Sequence, residues 1–452
     1  MRNQIIDPTQ GSLLKKIIPY AIPIMATNLL QLLFNTADLI IVGRFCGSNS
    51  LGAVGATTNL VNLLVNLFMG LSIGAGVTAA HGIGAKNDSW TSRVVHSSLP
   101  VAGICGLILM AVGLSLSTTM LEMMGTPEEV LDLAALYMRI YFVGMPSTLL
   151  CNFGIAILRA AGDNRHPLMY LSLAGFVNVI LNVILVVFFD LDVAGVAIAT
   201  TASNTMAAIL VLVTLARRKD ACRFQLRKMR IDWKTFSQVA SIGLPAGLQA
   251  CMFSISNVLI QSSVNSFGAA AVSGNAAAGN LESFVAVIQD CFSITALNFT
   301  GLCIGAKRYD RVNKVLFSCI GCIVAVGIPL ALVGYFLGKP LLGIYITDSA
   351  EAIAFGMLRL KVLCFGWFLC GIMGCFTSTF RGMGYSMQPM LISIIGVCVF
   401  RVVWIYTFFA RYHTFGCLMV SYPITYVITI GAQIVLYLIL RKKMRRKIAV
   451  TV

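Results

Sequence analysis

The sequence predicts an all-α integral membrane protein: twelve transmembrane helices in two pseudo-symmetric six-helix lobes. Three observations point there. First, 58% of the 452 residues are hydrophobic and only 11% are charged, whereas a soluble domain usually carries roughly 25% charged residues. Second, twelve apolar runs each reach the ~20 helical residues needed to cross a bilayer core. Transmembrane strands would instead alternate over ~10 residues, and lipid leaves no unpaired backbone group satisfied outside a helix or closed barrel. Third, the second half of the chain repeats the first.

The opening "MRNQIIDPTQGSLLKK" is polar and lacks a signal-peptide pattern with a small-residue cleavage site. The first span, about 17–43, is therefore expected to serve as both insertion signal and permanent helix. It carries Pro23 and then "NTADLIIVGRF", where Asp38 interrupts a stretch with no charge back to Lys16. Span two (51–81) leads into "IGAK", and span three covers 97–118. "TPEE" precedes span four (137–158), and "LRAAGDNRHP" separates that span from span five (168–189) with its "GFVNVILNVILVV". Span six (194–215) holds "VAIATTASN". The basic segment "ARRKDACRFQLRKMRIDWK", 216–234, is expected to join an N-lobe (1–215) to a C-lobe (235–452). Spans seven to twelve fall at about 235–265, 272–302, 313–337, 357–380, 388–409 and 416–440, parted by charged or Gly/Pro-rich turns.

The repeat is explicit. "PYAIPIMATNLLQ" (19–31) corresponds to "SIGLPAGLQACMF" (241–253), with Pro23 matching Pro245, and "GSNSLGAVGATTNL" (47–60) aligns without gaps to "GAAAVSGNAAAGNL" (268–281). "IGAK" recurs at 83–86 and 304–307, and "LRAAGDNRHP" (158–167) matches "FRGMGYSMQP" (380–389), all at an offset of 221 or 222. Six spans per half give both halves the same orientation, as in parallel transporter repeats. Two such lobes suit alternating access. Arg139 and Lys361 occupy equivalent positions and are expected to pack or snorkel.

The net charge of +16 reports topology rather than a nucleic-acid partner. With the N-terminus inside, alternate loops and the tail "RKKMRRK" hold 26 of the 33 basic residues. This positive-inside bias places both termini in the cytoplasm and attracts anionic lipid headgroups. Most of the 14 cysteines sit in apolar spans as small packing residues. "SCIGC" (Cys319, Cys322) has CxxC spacing inside a span without partner ligands, and the four histidines show no metal-ligand spacing. No GxxxxGK[ST] loop offers ATP drive. No His–Asp or His–Glu cluster at a span or its mouth suggests an enzyme.

An ionised carboxylate deep in lipid costs at least ~2.5–3.5 kcal/mol, so Asp38 calls for a wet, functional setting. It lies about five residues from the outer end of its span, roughly 7–8 Å along the axis. Pro23, earlier in the same helix, lacks an N–H and can bend it. Asn178 and Asn182 in span five are four residues apart, hence on one face, where they can hydrogen-bond the acid or offer carbonyl oxygens to a cation. Thr200 in span six can add a hydroxyl. The alternative reading of this set is interhelical hydrogen bonding alone. Glu282 and Asp290, in "NLESFVAVIQDCFSIT" of span eight, share a broad helical face. They are candidates for contacts with a cationic substrate or ion, or for pairing with Arg401 in span eleven. Met, Phe and Gly can build an adaptable drug pocket or simply pack helices.

"PIMATNLLQLLFNTADLIIVG", "IGAK", "LRAAGD", "TPEE" with its counterpart "TDSAE", and the duplicated lobes together resemble the MATE family, the multidrug and toxic compound extrusion transporters, over essentially the whole chain. The resemblance implies a V-shaped pair of six-helix bundles in a bacterial inner membrane, exporting small molecules against an inward proton or sodium gradient. It implies an N-lobe cation site of a helix-1 Asp, an Asn and an Asp in helix 5, and a helix-6 Thr. Here Asn182 replaces the second acid, which favours H+ over Na+. The acids that other members carry in helices 7 and 10 are absent, as in the DinF-like branch. No cofactor beyond the coupling ion is expected, and a monomer suffices because both lobes lie in one chain. A flippase for lipid-linked glycan precursors is the alternative; acids at 38, 282 and 290 argue against its cationic cleft.

Overall fold

The structure is a computed structural model that describes residues 8–346 and 349–451, the side chains at 48, 49, 51, 56, 59 and 445–451 excepted. Arg2, the first two residues of "TDSAE", and the side chains of Arg445, Arg446 and Lys447 lie outside the described residues. Among those described, the chain is helical throughout: α1 (Leu14–Ile41), α2 (Gly47–Gly84), α3 (Asp88–Met123), α4 (Glu128–Val143), α5 (Met145–Ala160), α6 (Arg165–Asn182), α7 (Asp192–Arg217), α8 (Trp233–Asn265), α9 (Ala269–Gly305), α10 (Tyr309–Phe336), α11 (Gly338–Gly343), α12 (Ala350–Gly382), α13 (Met387–Ser393), α14 (Phe400–Trp404) and α15 (Phe415–Thr451). Short π-helical stretches extend α1, α6, α13 and α14. Among the described residues, eleven helical segments are long and apolar enough to cross a membrane. The pair α4–α5, bent by 48°, makes a twelfth.

The fourth span was expected as one helix over 137–158. Instead it begins at Glu128 and breaks at Gly144. Pro146 has no N–H to give the carbonyl of Phe142, which opens the helix there. Thr201 of α7 fills the space a side chain at Gly144 would need, and its hydroxyl donates to the Ile140 carbonyl at 3.3 Å.

The chain divides into two compact units, the first spanning Ile22–Cys251 and the second Pro8–Ala21 with Met252 onward. In the first, α5 packs on α2, α3 and α7, and α6 lies on α7. Phe142, Phe153, Met138 and Leu149 are wholly buried there. The unit runs past the basic 216–234 segment and into α8. The reason is a ladder of small residues: Gly70 and Gly74 of α2 face Gly243 and Gly247 of α8, so close that a Cβ at these positions would meet the opposing backbone.

The 216–234 segment is strapped to this unit rather than loose. The N–H of Gln225 donates to His96 Nε2 at 3.0 Å, that of Arg230 to the His96 carbonyl at 3.3 Å, and that of Asp232 to Ser97 Oγ at 3.2 Å. His96 Nδ1 lies 2.7 Å from the Ser92 carbonyl, so the ring is tied at both ends. Arg218 donates to both Asp220 oxygens, at 3.0 Å from Nε and 2.5 Å from Nη2, and reaches Asp163 at 3.3 Å. Burial pushes the Asp220 carboxyl up, but the hydrogen bonds and charge of Arg218 outweigh it and hold it below its ordinary 3.8.

In the second unit α12 is central, packing on α9, α10 and α15. Residues 8–21 belong here: Tyr20 stacks near Phe299 with centroids 4.8 Å apart, and Arg311 donates to the carbonyls of Pro8 (2.7 Å) and Gly11 (2.5 Å). α1 thus starts in one unit and passes to the other at Ile22, beside Pro23, without a break.

The repeat is written into the backbone. Gly47 and Gly268 share φ of 88° and 87°, where a side chain would be strained, and each opens a long helix. Lys86 and Lys307 of the two "IGAK" motifs both adopt left-handed φ, 52° and 57°. The π-helical stretches Val183–Phe188 and Ile405–Phe409 begin 222 residues apart.

Candidate functional site

Asp38, Asn178, Asn182 and Thr200 come from three helices and form one hydrogen-bonded chain in the first unit. Asn182 Nδ2 donates to Asp38 Oδ1 at 2.6 Å and to Asn178 Oδ1 at 3.2 Å. Asn178 Nδ2 donates in turn to Thr200 Oγ1 at 3.3 Å. Asn182 is wholly buried and its Oδ1 has no hydrogen-bond partner among the described residues. The π-helical stretch starts at the next residue, Val183, and such bulges re-aim side chains where function needs it. The 2.6 Å contact is the shortest of the three bonds in this chain.

Asp38, Asn178 and Thr200 line a cavity of about 370 Å³ whose other polar walls include Gln31 and Asn35 of α1, Asn152 of α5 and Asn204 of α7. None of these four is among the site residues expected from the sequence. Gln31, Asn35 and Asp38 form a polar stripe at helical spacing in an apolar run, a signal that was available. Asn152 bonds the Thr148 carbonyl at 2.7 Å and Asn204 reaches Thr148 Oγ1 at 3.4 Å, so the cavity's amides are held in place. Pro23 is not part of this cluster; its carbonyl accepts from Thr27 Oγ1 at 2.7 Å.

Glu282 and Asp290 sit in the second unit, apart from this chain. The expected pairing with Arg401 is not what forms. Glu282 Oε2 accepts from Arg359 Nη2 at 2.6 Å, and Arg359 Nη1 donates to Asn275 Oδ1 at 2.5 Å. Arg401 instead stacks its guanidinium 4.0 Å from the Tyr422 ring and donates to Asn257 Oδ1 at 3.3 Å. α12 presents Arg359 directly to α9, whereas Arg401 faces α15 and α8. Asp290 has no hydrogen bond or ion pair among the described residues. Shifting the polar chain by the 222 residues between Pro23 and Pro245 gives Ile260, Phe400, Trp404 and Tyr422. The second unit therefore does not duplicate the site.

Among the described residues no group of three or more His, Cys, Asp or Glu can hold a metal ion. A His–Asp pair does exist at a span mouth, contrary to expectation: His166 Nδ1 meets Asp163 Oδ2 at 2.7 Å. Asp163 also accepts the His166 N–H at 3.3 Å, so the pair shapes the turn into α6. Arg139 donates to Thr118 Oγ1 at 3.0 Å at the surface.

The MatE family profile matches twice, over residues 23–184 and 245–407, once in each half. The chain belongs to the MatE family. The two matches coincide with the internal repeat and include Asp38 and Asn178 through Asn182. Among curated relatives, the "Probable multidrug resistance protein YoeA" of Bacillus subtilis is 26% identical over 385 residues, covering 84% of this chain and 83% of its own length. The "Probable multidrug resistance protein NorM" of Thermotoga maritima is 26% identical over 403 residues, covering 86% and 84%. The "Multidrug export protein MepA" of Staphylococcus aureus is 24% identical over 398 residues, 86% of each. A solved MATE structure in the bent conformation aligns at a TM-score of 0.89 and 22% identity over 99% of this chain and all of that one. An outward-facing multidrug resistance MATE transporter of the MOP superfamily gives the same score over 99% of both. The fold is that of MATE transporters; these family relatives are transporters, not enzymes.

Proposed function

We propose that the chain is a proton-coupled antiporter that exports small amphipathic or cationic compounds by alternating access, with Asp38 as its coupling carboxylate. The observation that carries this reading is the 2.6 Å bond from Asn182 Nδ2 to Asp38 Oδ1, made beside a polar cavity inside an apolar helical unit. A hydrogen bond to a charged acceptor is worth ~1.5–3 kcal/mol and a neutral one ~0.5–1.5. Protonating Asp38 thus weakens the tie between α1 and α6 by about 1 kcal/mol and removes the charge the site must solvate. Pro23 gives α1 a place to yield in response.

The donor set supports a proton over sodium. Asn182 turns its NH₂ toward the carboxylate, and its carbonyl oxygen does not share the acid's partners. A sodium ion held by both residues would need that oxygen turned inward, with one carboxylate to balance it. The multidrug names of the bacterial relatives support a broad range of exported compounds and a bacterial cell membrane. The charge bias supports cytoplasmic termini, and one chain holding both repeats supports a functional monomer. Efflux of a cationic dye from proteoliposomes tests the coupling: an imposed proton gradient drives it and a sodium gradient alone does not. Sodium-driven efflux without a proton gradient would overturn the choice of ion.

A further inference from the structure

The second unit contains a cavity of about 960 Å³ outside the site described above. It lies where the segment before α1, the start of α10 and the far end of α15 meet. Its walls include Arg311, Lys314 and Arg441, and no acidic residue. Arg311 uses its guanidinium on the carbonyls of Pro8 and Gly11, which fixes one wall. Lys314 and Arg441 form no hydrogen bond or ion pair among the described residues, and Arg441 Nε is buried without a hydrogen-bond partner. Two unspent cations therefore face one space, one of them with a donor already removed from water. Lys314 is exposed, but a buried donor left unpaired is costly, and an anion in this space would complete it.

Beyond Ser12, Asn313 and Ser318, the rest of the wall is apolar, and along α10 it is directional. Lys314, Phe317, Gly321 and Ala325 recur at three- and four-residue spacing along α10, all lining the cavity. Phe317 is 58% exposed and Leu14, which also lines the cavity, 51%. A Cβ at Gly321 would meet nothing within 4 Å, so the trough is open there. From Lys314 to Ala325 is eleven residues, or about 16 Å of helix, close to half the ~30 Å hydrocarbon thickness. A cationic end and an apolar trough one leaflet long match a lipid, not a free anion.

We propose that this cavity binds one anionic phospholipid, its phosphodiester between Lys314 and Arg441 and an acyl chain along Phe317, Gly321 and Ala325. The bound lipid would brace the start of α1 against α10 and α15, because Arg311 ties residues 8–11 to the same wall.

Native mass spectrometry of the full chain, released from detergent with defined lipids, tests this. The wild type is expected to retain one phosphatidylglycerol at least ~10-fold more than phosphatidylethanolamine, about 1.4 kcal/mol. Lys314→Gln with Arg441→Gln should erase the preference. Gly321→Leu, which fills open space without touching charge, should lower phosphatidylglycerol retention in a protein that folds normally. Equal retention of the two lipids by the wild type would overturn the proposal, as would a preference unchanged in the double variant. Full displacement by soluble glycerophosphoglycerol, with Gly321→Leu inert, would leave an anion site and refute the lipid.

Discussion

Glu282→Gln separates a structural acid from one that handles substrate. The change keeps shape and volume but removes the charge opposite Arg359, a guanidinium that also donates to the neutral amide of Asn275. Removing one partner of a fully buried pair costs ~3–5 kcal/mol. Here the side chains are 25% exposed for Glu282 and 11% for Arg359, and the amide bond survives, so solvent and Asn275 cut the loss to ~2 kcal/mol. At ~2–4 °C per kcal/mol for a unit of this size, the thermal midpoint in a fixed detergent should fall by ~4–8 °C. Arg359→Met should destabilise less, because the partly exposed carboxylate regains water. The double variant should recover ~1–2 kcal/mol relative to the sum of the singles. Dye efflux by Glu282→Gln, measured well below its midpoint, should persist. An unchanged midpoint together with lost efflux would refute this reasoning and move Glu282 into substrate or ion handling.

Two further outcomes follow from named contacts. Asn182→Leu removes the donor to Asp38 and should reduce proton-driven efflux by ~10- to 100-fold, the equivalent of a charge-assisted bond. Asn178→Leu, which loses only neutral bonds, should cost less; the reverse order in the same proteoliposome assay would break the assignment. The Arg218–Asp220 clamp should respond to acid. Because the folded Asp220 carboxyl lies below its ordinary 3.8, its contribution is present above that value and fades as pH falls through the folded one. Proteolysis within 216–234 should therefore rise below about pH 4 in the wild type, whereas Asp220→Asn should show raised cleavage already at neutral pH and no further acid step.

Spans and repeat were readable because lipid permits few solutions: twelve apolar runs had to be helices, and duplicated motifs at one offset had to be duplicated structure. The break in span four had its own signal, Gly144 and Pro146 in "FVGMPS", overlooked beside the apolar run. Asp38, Asn178 and Asn182 were legible for a local reason, since a four-residue spacing fixes a shared helical face. The partner of Glu282 was not. It depends on how α9, α12 and α14 are rotated about their axes, and two arginines in apolar spans were equally available by composition. The strap from His96 to Gln225 joins residues 129 apart and has no local pattern at all. The small-residue ladder that docks α8 on α2 was present as "GLSIG" and "GLPAG", yet only the fold brings the two together.

Asp38→Asn bears most directly on coupling. It keeps the size and hydrogen-bonding capacity of the side chain while removing its proton-dependent charge. Dye efflux from proteoliposomes should be driven by an imposed proton gradient in the wild type and should fall to the gradient-free level in the variant, with dye binding and thermal midpoint retained. Gradient-driven efflux unchanged in a folded Asp38→Asn protein would contradict the role of Asp38 and make its bond to Asn182 a structural contact.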